Sequence, residues 1–347
     1  MSEPLTASVV GASGFAGGEL LRLIDGHPSL EVVQATSRQY ERKSIGSVHP
    51  NLRQHDLRFS DPNDLASVDV LFAATPHGVT MEHIDTYFDH AETVVDLSAD
   101  FRLNTAEQYD EWYDGHTAPA YLDDAVYALP ELTRDALPGA SLIASGGCNA
   151  TVSILGLKPL FDADILSGDE RIVIDVKVGS SEGGASGGIA SSHAERSGIV
   201  RPYAATGHRH EAEIEQTFDT SVAFTAHAVD MIRGSAATAH IFPDEPVSKR
   251  DLWSAYRESY ADEPFMRIVA GAGGVYRYPE PKIVAGTNYC DVGFELDPSN
   301  GRIVVFSALD NMMKGAAGQA VHGANVALGF EETAGLTFPG MHPVGAP

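Results

Sequence analysis

The chain has 347 residues, 43% of them hydrophobic, and 48 Asp and Glu against 23 Lys and Arg give a formal net charge of −25. A field of that sign repels phosphate backbones and leaves no electrostatic footprint for nucleic acid. Two cysteines, Cys148 and Cys290, are too few for a disulfide framework or a Cys-based zinc site.

The acidic, lysine-poor composition suits a salt-rich cytoplasm, where screening shortens to ~3 Å at 1 M and self-repulsion weakens. No basic segment followed by a long apolar one opens the sequence, and no apolar run reaches the ~18–20 residues of a membrane span. A soluble cytoplasmic enzyme with no membrane partner is expected. The length exceeds the ~250–300 residues at which single cores stop growing, so two domains are expected.

Short Val- and Ala-rich runs at 7–10, 32–35, 70–74, 94–97 and 142–144 read as strands buried on both faces. Between the first two, residues 19–25 carry Leu20, Leu21, Leu23 and Ile24, with Gly26 and Pro28 as stop signals. This is a βαβ opening, and it predicts a Rossmann-type, doubly wound parallel sheet. From residue 151 the pattern changes. A helix over 151–165 is followed by a strand over 171–178 and a Gly- and Ser-rich segment over 179–192 (GSSEGGASGGIASS). That segment reads either as a close-approach ligand loop or as an ordinary flexible loop. Strands are expected at 222–229, 236–242, 291–296 and 303–308, with a helix at 251–260, which together predict an α+β domain with a mixed or antiparallel sheet. Residues 311–328 read as one long helix that packs back on the first domain.

Residues 11–17 (GASGFAG) follow the first strand and open the first helix. Their G-x-x-G-x-x-G spacing permits a tight turn and close approach, and the helix N-terminus offers N–H groups and a positive dipole to a pyrophosphate. Gly11, Ser13, Gly14, Phe15, Ala16 and Gly17 are therefore candidate cofactor residues. The second strand ends in Ser37, Arg38 and Gln39 with no carboxylate for a ribose 2′-hydroxyl, and a hydroxyl beside a guanidinium suits a 2′-phosphate. NADP(H) is the expected cofactor. A solvated Arg38 is the alternative.

Cys148 lies in SGGCNAT, between a buried strand and a helical stretch. A helix N-terminus raises the thiolate fraction, and the flanking glycines leave the approach open. A buried, inert cysteine is the competing reading, and it is the one that fits Cys290. A thiolate beside a dinucleotide implies attack on an acyl carbon, a thioester, and reduction to an aldehyde, with an imidazole as acid–base group. His208, Arg209 and His210 (GHRHE) supply that chemistry. Metal chelation by His-x-His lacks a third ligand, so no metal is expected; a solvated helix start is the other alternative.

Taken together, GASGFAG at 11–17, DLSADFR at 96–102, YALPEL at 127–132, GCNAT at 147–151 and GHRHEAEI at 207–214 resemble the N-acetyl-γ-glutamyl-phosphate reductases, relatives of aspartate-semialdehyde dehydrogenase. The likeness extends through Thr287–Asn288 and Leu309–Asn311. Asn149 and Ala150 after the cysteine, Ala212, the Thr75–Gly78 stretch (TPHG) and Ser192–His193 resemble the branch that reduces glutamyl or 2-aminoadipyl phosphates attached to the carrier protein LysW.

The resemblance implies Cys148 as nucleophile and His208 as acid–base group, with His210 the fallback. It implies Ser13–Ala16 and Ser37–Gln39 on NADP, and Asn311 beside the nicotinamide half. Arg102 and Ser98, and with them Asn149 and His210, are implied on the substrate side, with an Asp100–Arg102 ion pair as the structural alternative. The implied partners are a small acidic LysW-like carrier and a second copy of the chain, as homodimer or homotetramer. Arg196, Arg201, Arg209 and Arg233 are the candidate basic patch for the carrier. The expected domains are 1–147 for NADP, 148–310 for catalysis and oligomerisation, and 311–347 returning to the first. Free N-acetylglutamyl phosphate is the alternative substrate, and a non-catalytic NADP-binding sensor the alternative of another class. The residues do not separate glutamate from 2-aminoadipate.

Overall fold

The computed structural model describes residues 3–343; residues 344–347 of the expected tail lie outside them. The chain divides into two compact units. One runs up to Gly146 and includes Gly184–Ser186 and Ala316–Thr337; the other comprises Gly147–Gly183, Gly187–Gly315 and the residues from Phe338.

The first unit is built on seven strands: β1 (Leu5–Val10), β2 (Leu30–Thr36), β3 (Phe59–Ser60), β4 (Val68–Ala73), β5 (Ala91–Asp96), β6 (Ala125–Ala128) and β7 (Leu142–Ser145). All pairings are parallel, in the order β3-β2-β1-β4-β5-β7-β6. The expected doubly wound sheet is present. Its runs are Val- and Ala-rich because helices cover both faces, and Ala7, Val9, Val70–Ala73, Val94 and Val95 are fully buried. Strands β3 and β6 escaped the sequence reading because two and four residues show no usable periodicity.

Helix α1 (Phe15–Asp25) follows β1, and α2 (Val79–His90) follows β4. The strand order reverses between β1 and β4, which puts a crevice at their carboxyl ends.

The second unit holds a mixed seven-stranded sheet of β8 (Arg171–Val178), β9 (Val200–Ala204), β10 (Ala223–Val229), β11 (Ser235–Phe242), β12 (Met266–Ile268), β13 (Cys290–Leu296) and β14 (Ile303–Leu309). The order is β12-β13-β14-β11-β8-β10-β9, with β8–β10 and β12–β13 parallel and the rest antiparallel. Alternation is clean where one face is covered: along β8, Ile172, Ile174, Val176 and Val178 are buried and the residues between them are not.

Helix α3 (Cys148–Asp162) is the centre of that unit. It starts three residues before the expected 151, because Gly147 is its N-cap and places Cys148 at the first helical position. Ala150, Val152, Ile154, Leu155, Leu157 and Leu160 have no exposed surface. Burial of each larger side chain contributes roughly 1.5–3 kcal/mol, so the helix and its first turn are held rigidly. Helices α4 (His210–Phe218) and α5 (Lys249–Tyr260) also pack on α3, and Tyr256 and Tyr260 donate their hydroxyls to the Gly156 and Leu155 carbonyls.

The last helix is shorter than expected. Residues 311–328 divide into a turn at Asn311–Met312, a π-helical turn Met313–Ala317 and α6 (Gly318–Ala327). The apolar spacing continues through the wide turn and conceals it. α6 packs in the first unit, where Glu332 joins His322 of α6 to Arg134 at 2.7 and 2.8 Å.

Candidate active site

At the β1–β4 switch point the cleft volume is about 450 Å³, and Gly11, Ser13, Ser37, Arg38, Gln39, Thr75 and Tyr87 are among its lining residues. Gly11 has φ +74°, and a Cβ there would lie 2.4 Å from the Ala74 carbonyl oxygen. A Cβ on Gly17 would lie 2.6 Å from both Ala12 Cα and the Gly11 oxygen. Only glycine fits at either place. Gly14 caps α1 in extended geometry, no acidic residue stands in the first turn, and Phe15 is exposed. The first-turn N–H groups of Phe15, Ala16 and Gly17 therefore have no intrahelical acceptor and meet no opposing carboxylate.

Ser37 donates its hydroxyl to Ser13 Oγ at 2.8 Å, tying the two loops together, and His49 Nε2 lies 2.8 Å from the Ala12 carbonyl. Arg38 stands exposed beside Ser37. A loop closed to a Cβ at Gly11 and Gly17, an unopposed helix N-terminus and a guanidinium at the second strand's end fit a dinucleotide with a 2′-phosphate. Sequence reasoning missed His49, His83 and Tyr87, which come from helices and turns with no motif of their own.

Beyond β5, the DLSADFR motif turns mostly inward. Ser98 is buried; its hydroxyl donates to Asp96 at 2.8 Å and accepts the Asp100 N–H at 3.1 Å. Its hydroxyl is engaged within the motif itself. Asp100 has no exposed surface and accepts the N–H groups of Gly78 and Met81, with His77 Nδ1 at 2.6 Å. Its carboxylate is engaged in holding the α2 start rather than reserved for Arg102. Arg102 donates Nε to the Ser145 carbonyl at 2.7 Å and Nη2 to the Leu97 carbonyl at 3.0 Å, which fixes its guanidinium at the ends of β5 and β7.

Cys148 is partly exposed at the first position of α3, with no acidic residue in that turn. The helix terminus supplies the positive potential that favours a thiolate. Asn149 is buried; its Oδ1 accepts from Ser235 Oγ at 2.9 Å and lies 3.6 Å from Cys148 Sγ. Its Nδ2 donates to the Tyr203 hydroxyl at 3.2 Å, and that hydroxyl donates to Glu182 at 3.2 Å. Burial pushes Glu182 up, Arg196 opposing; burial, Glu182 and Cys148 push Tyr203 up. Cys290 is fully buried in β13, as expected for core.

The two imidazoles have different settings. His208 Nδ1 accepts the His210 backbone N–H at 3.1 Å, which leaves the ring proton on Nε2, 3.4 Å from the Tyr203 hydroxyl. Burial, with Arg209 adding repulsion, lowers His208 to about 4, so the ring is neutral at pH 7. His210 packs against Gly147, where a Cβ would meet its Nε2 at 2.5 Å, and stands 3.9 Å from Glu213. Glu213 has no exposed surface and accepts the Gly147 N–H at 2.8 Å. The sequence reading missed Glu213, although its place three residues after His210 on one helix face was a usable signal.

The Gly- and Ser-rich segment is anchored at its start. Gly179 N–H donates to the Gly234 carbonyl, Ser180 to Met231 and Ser181 to Ile232. Asn311 Oδ1 accepts from Gly234 N–H at 2.6 Å, and its Nδ2 donates to Ser181 Oγ at 2.9 Å. Asn311 therefore ties three loops together, and it is not among the residues lining the Gly11–Arg38 cleft. Three of the candidate carrier-binding arginines are already paired: Arg196 is buried on Glu182, Arg201 lies 3.5 Å from Glu195, and Arg233 lies 2.9 Å from the buried Asp310. The expected basic patch does not form from them. Among the described residues no cluster could hold a metal ion, and no helix is long and apolar enough to cross a membrane.

Residues 6–140 match the family model described as semialdehyde dehydrogenase, NAD binding domain, and residues 148–311 the one described as semialdehyde dehydrogenase, dimerisation domain. The chain belongs to the semialdehyde dehydrogenase family, whose members are oxidoreductases acting at the aldehyde level. Within it, the chain is 74% identical over 342 residues to a protein of Natronomonas pharaonis and 74% identical over 342 residues to one of Haloarcula marismortui. Each match covers 99% of this chain and 99% of the relative, and both relatives bear the name LysW-L-2-aminoadipate/LysW-L-glutamate phosphate reductase. The fold is that of aspartate semialdehyde dehydrogenase II from Vibrio cholerae, at TM-score 0.72 and 18% identity over 94% of this chain and 98% of that one.

Proposed function

We propose that the protein reduces a carrier-linked acyl phosphate to its semialdehyde with NADPH, in arginine or lysine biosynthesis. The substrate is glutamyl 5-phosphate or 2-aminoadipyl 6-phosphate attached to a small LysW-like protein. The observation that carries this reading is a partly exposed cysteine at the first position of a helix buried from Asn149 to Leu157, in a chain nearly three-quarters identical to reductases of that name.

Cys148 Sγ attacks the acyl carbon; a carbon–sulfur bond forms, the carbon–oxygen bond to phosphate breaks, and phosphate leaves with the electron pair. Arg102 is the cation assigned to that phosphate. Gly11–Gly17, Ser37 and Arg38 hold the dinucleotide. Bound NADPH would supply the hydride that brings the thioester carbon to the aldehyde level; the carbon–sulfur bond then breaks, releasing the aldehyde and returning the electron pair to the Cys148 thiolate. His208 offers its Nε2–H to the developing oxyanion, a role open to neutral imidazoles whose other nitrogen is held. The His210–Glu213 pair fixes Gly147 and with it the start of α3.

An imidazole titrating near pH 4 is neutral throughout the physiological range and charges only as pH falls below that point. The histidine ring resonance of His208 should therefore move with a midpoint near 4, and His208→Asn should cost about 10²–10⁴ in kcat. A midpoint at or above 6.5, or a greater loss in His210→Asn, would transfer the acid role to His210.

The acidic composition suits the screened environment of a salt-rich cytoplasm. Copies of the chain associate through the second unit, which matches a dimerisation domain. Competing carrier-linked glutamyl and aminoadipyl phosphates against N-acetylglutamyl phosphate, each with NADPH, tests the substrate assignment. A preference of at least tenfold in kcat/KM for a carrier-linked compound is expected. Preference for the acetylated compound overturns the carrier reading and leaves the cysteine chemistry intact.

A further inference from the structure

The π-helical turn Met313–Ala317 runs behind the nucleophile. A Cβ on Gly315 would lie 2.6 Å from Cys148 Cβ, 3.2 Å from Cys148 Cα and 3.2 Å from Leu309 Cδ1. The first two are the rooted atoms of the cysteine itself, not the end of a flexible chain. Ordinary carbon–carbon contact is ~3.5–4.0 Å, so one added methyl requires a shift of about 1 Å.

The turn is poorly placed to yield. Its Gly315 N–H donates to the Asp310 carbonyl at 3.0 Å. The Asp310 carboxylate, itself fully buried, accepts the N–H groups of Met312, Met313 and Gly286 and pairs with Arg233. Nor can α3 retreat, because the residues behind its first turn have no exposed surface. Wide turns of this kind are uncommon in helices and concentrate at functional sites, where they set one side chain's place.

We propose that Gly315 is a positioning residue for the reaction: its missing side chain lets the Asp310-anchored turn form the wall against which Cys148 is set. This rests on Cys148 being the nucleophile. A misplacement near 1 Å costs about 10²-fold in rate. Gly315→Ala should therefore lower kcat about 10²-fold, leave the Kd for NADPH within twofold of wild type, and change the rate of Cys148 alkylation by iodoacetamide at least fivefold.

Gly323→Ala is the comparison for crowding alone. Its Cβ, on α6, would lie 2.9 Å from Ala128 Cβ of β6, within the first unit. It should lower Tm and leave kcat per folded chain unchanged. Where Gly315→Ala does not fold, Asp310→Asn, which weakens the anchor without adding an atom, should change the alkylation rate in the same assay. Wild-type kcat and alkylation in Gly315→Ala, or in Asp310→Asn where that variant is used, overturn the proposal. So does a kcat loss in Gly323→Ala as large as that in Gly315→Ala. The failure of the underlying reading looks different: Cys148→Ser would itself stay active.

Discussion

Cys148→Ser should lose turnover by at least about 10³-fold while binding NADPH with wild-type affinity. A serine hydroxyl at that position has no base able to ionise it to the degree a helix N-terminus ionises a thiol. The substitution is nearly isosteric and sits at the first position of α3, where serine is well tolerated, so the fold should survive. Dinucleotide binding should survive too, because the Gly11–Arg38 cleft lies in the other unit and includes no residue of α3. Steady-state reduction of the carrier-linked acyl phosphate, with NADPH titrated by fluorescence, separates the two properties. Turnover within tenfold of wild type would remove the nucleophile assignment.

Gly11→Ala should reverse that pattern and abolish tight NADPH binding. An alanine at φ +74° carries a backbone penalty of roughly 1–2 kcal/mol. Its methyl would also stand 2.4 Å from the Ala74 carbonyl oxygen, a backbone atom directly after β4 with no rotamer to change. Overpacking of this kind costs typically ~1–3 kcal/mol. The loop between β1 and α1 must move, and the first-turn N–H groups move with it. We expect Kd for NADPH to rise at least 30-fold, in line with ~2 kcal/mol at 1.4 kcal/mol per factor of ten. Calorimetric titration checks this, and an unchanged Kd would contradict the close-approach role of the loop. The Cys148 alkylation rate without cofactor should stay near wild type in this variant.

Those two sites were legible in the sequence for the same reason: each is a short glycine-bearing turn between a buried strand and a helix. The turn fixes the backbone, and the backbone fixes which end of the helix faces the ligand. What stayed hidden depends on where side chains turn and whom they meet. Ser98 stands in a motif full of polar groups, yet its hydroxyl points inward to Asp96. Asn311 is taken up by Gly234 and Ser181, 77 and 130 residues away in the chain. Arg196 and Arg233 look like surface cations until Glu182 and Asp310 are brought to them by the second sheet.

The π-turn is a third kind of omission. Its extra residue shifts helical register without interrupting the apolar pattern, so residues 311–328 read as one helix. The glycine that matters in it has no signature except the cysteine it touches, 167 positions earlier. The longer strands, by contrast, follow from patterns that need no partner: continuous Val and Ala runs in β1, β2, β4, β5 and β7 of the first sheet, and alternation along β8 in the second.

The central claim is a covalent bond between substrate carbon and Cys148 sulfur before any reduction takes place. Wild-type enzyme mixed with carrier-linked acyl phosphate and no NADPH, then acid-quenched within a single turnover, should release one phosphate per chain. Intact-mass and peptide analysis should find the acyl carrier joined to Cys148 through a hydroxylamine-labile link. Phosphate release that waits for NADPH, or an adduct that forms equally in Cys148→Ser, would contradict it.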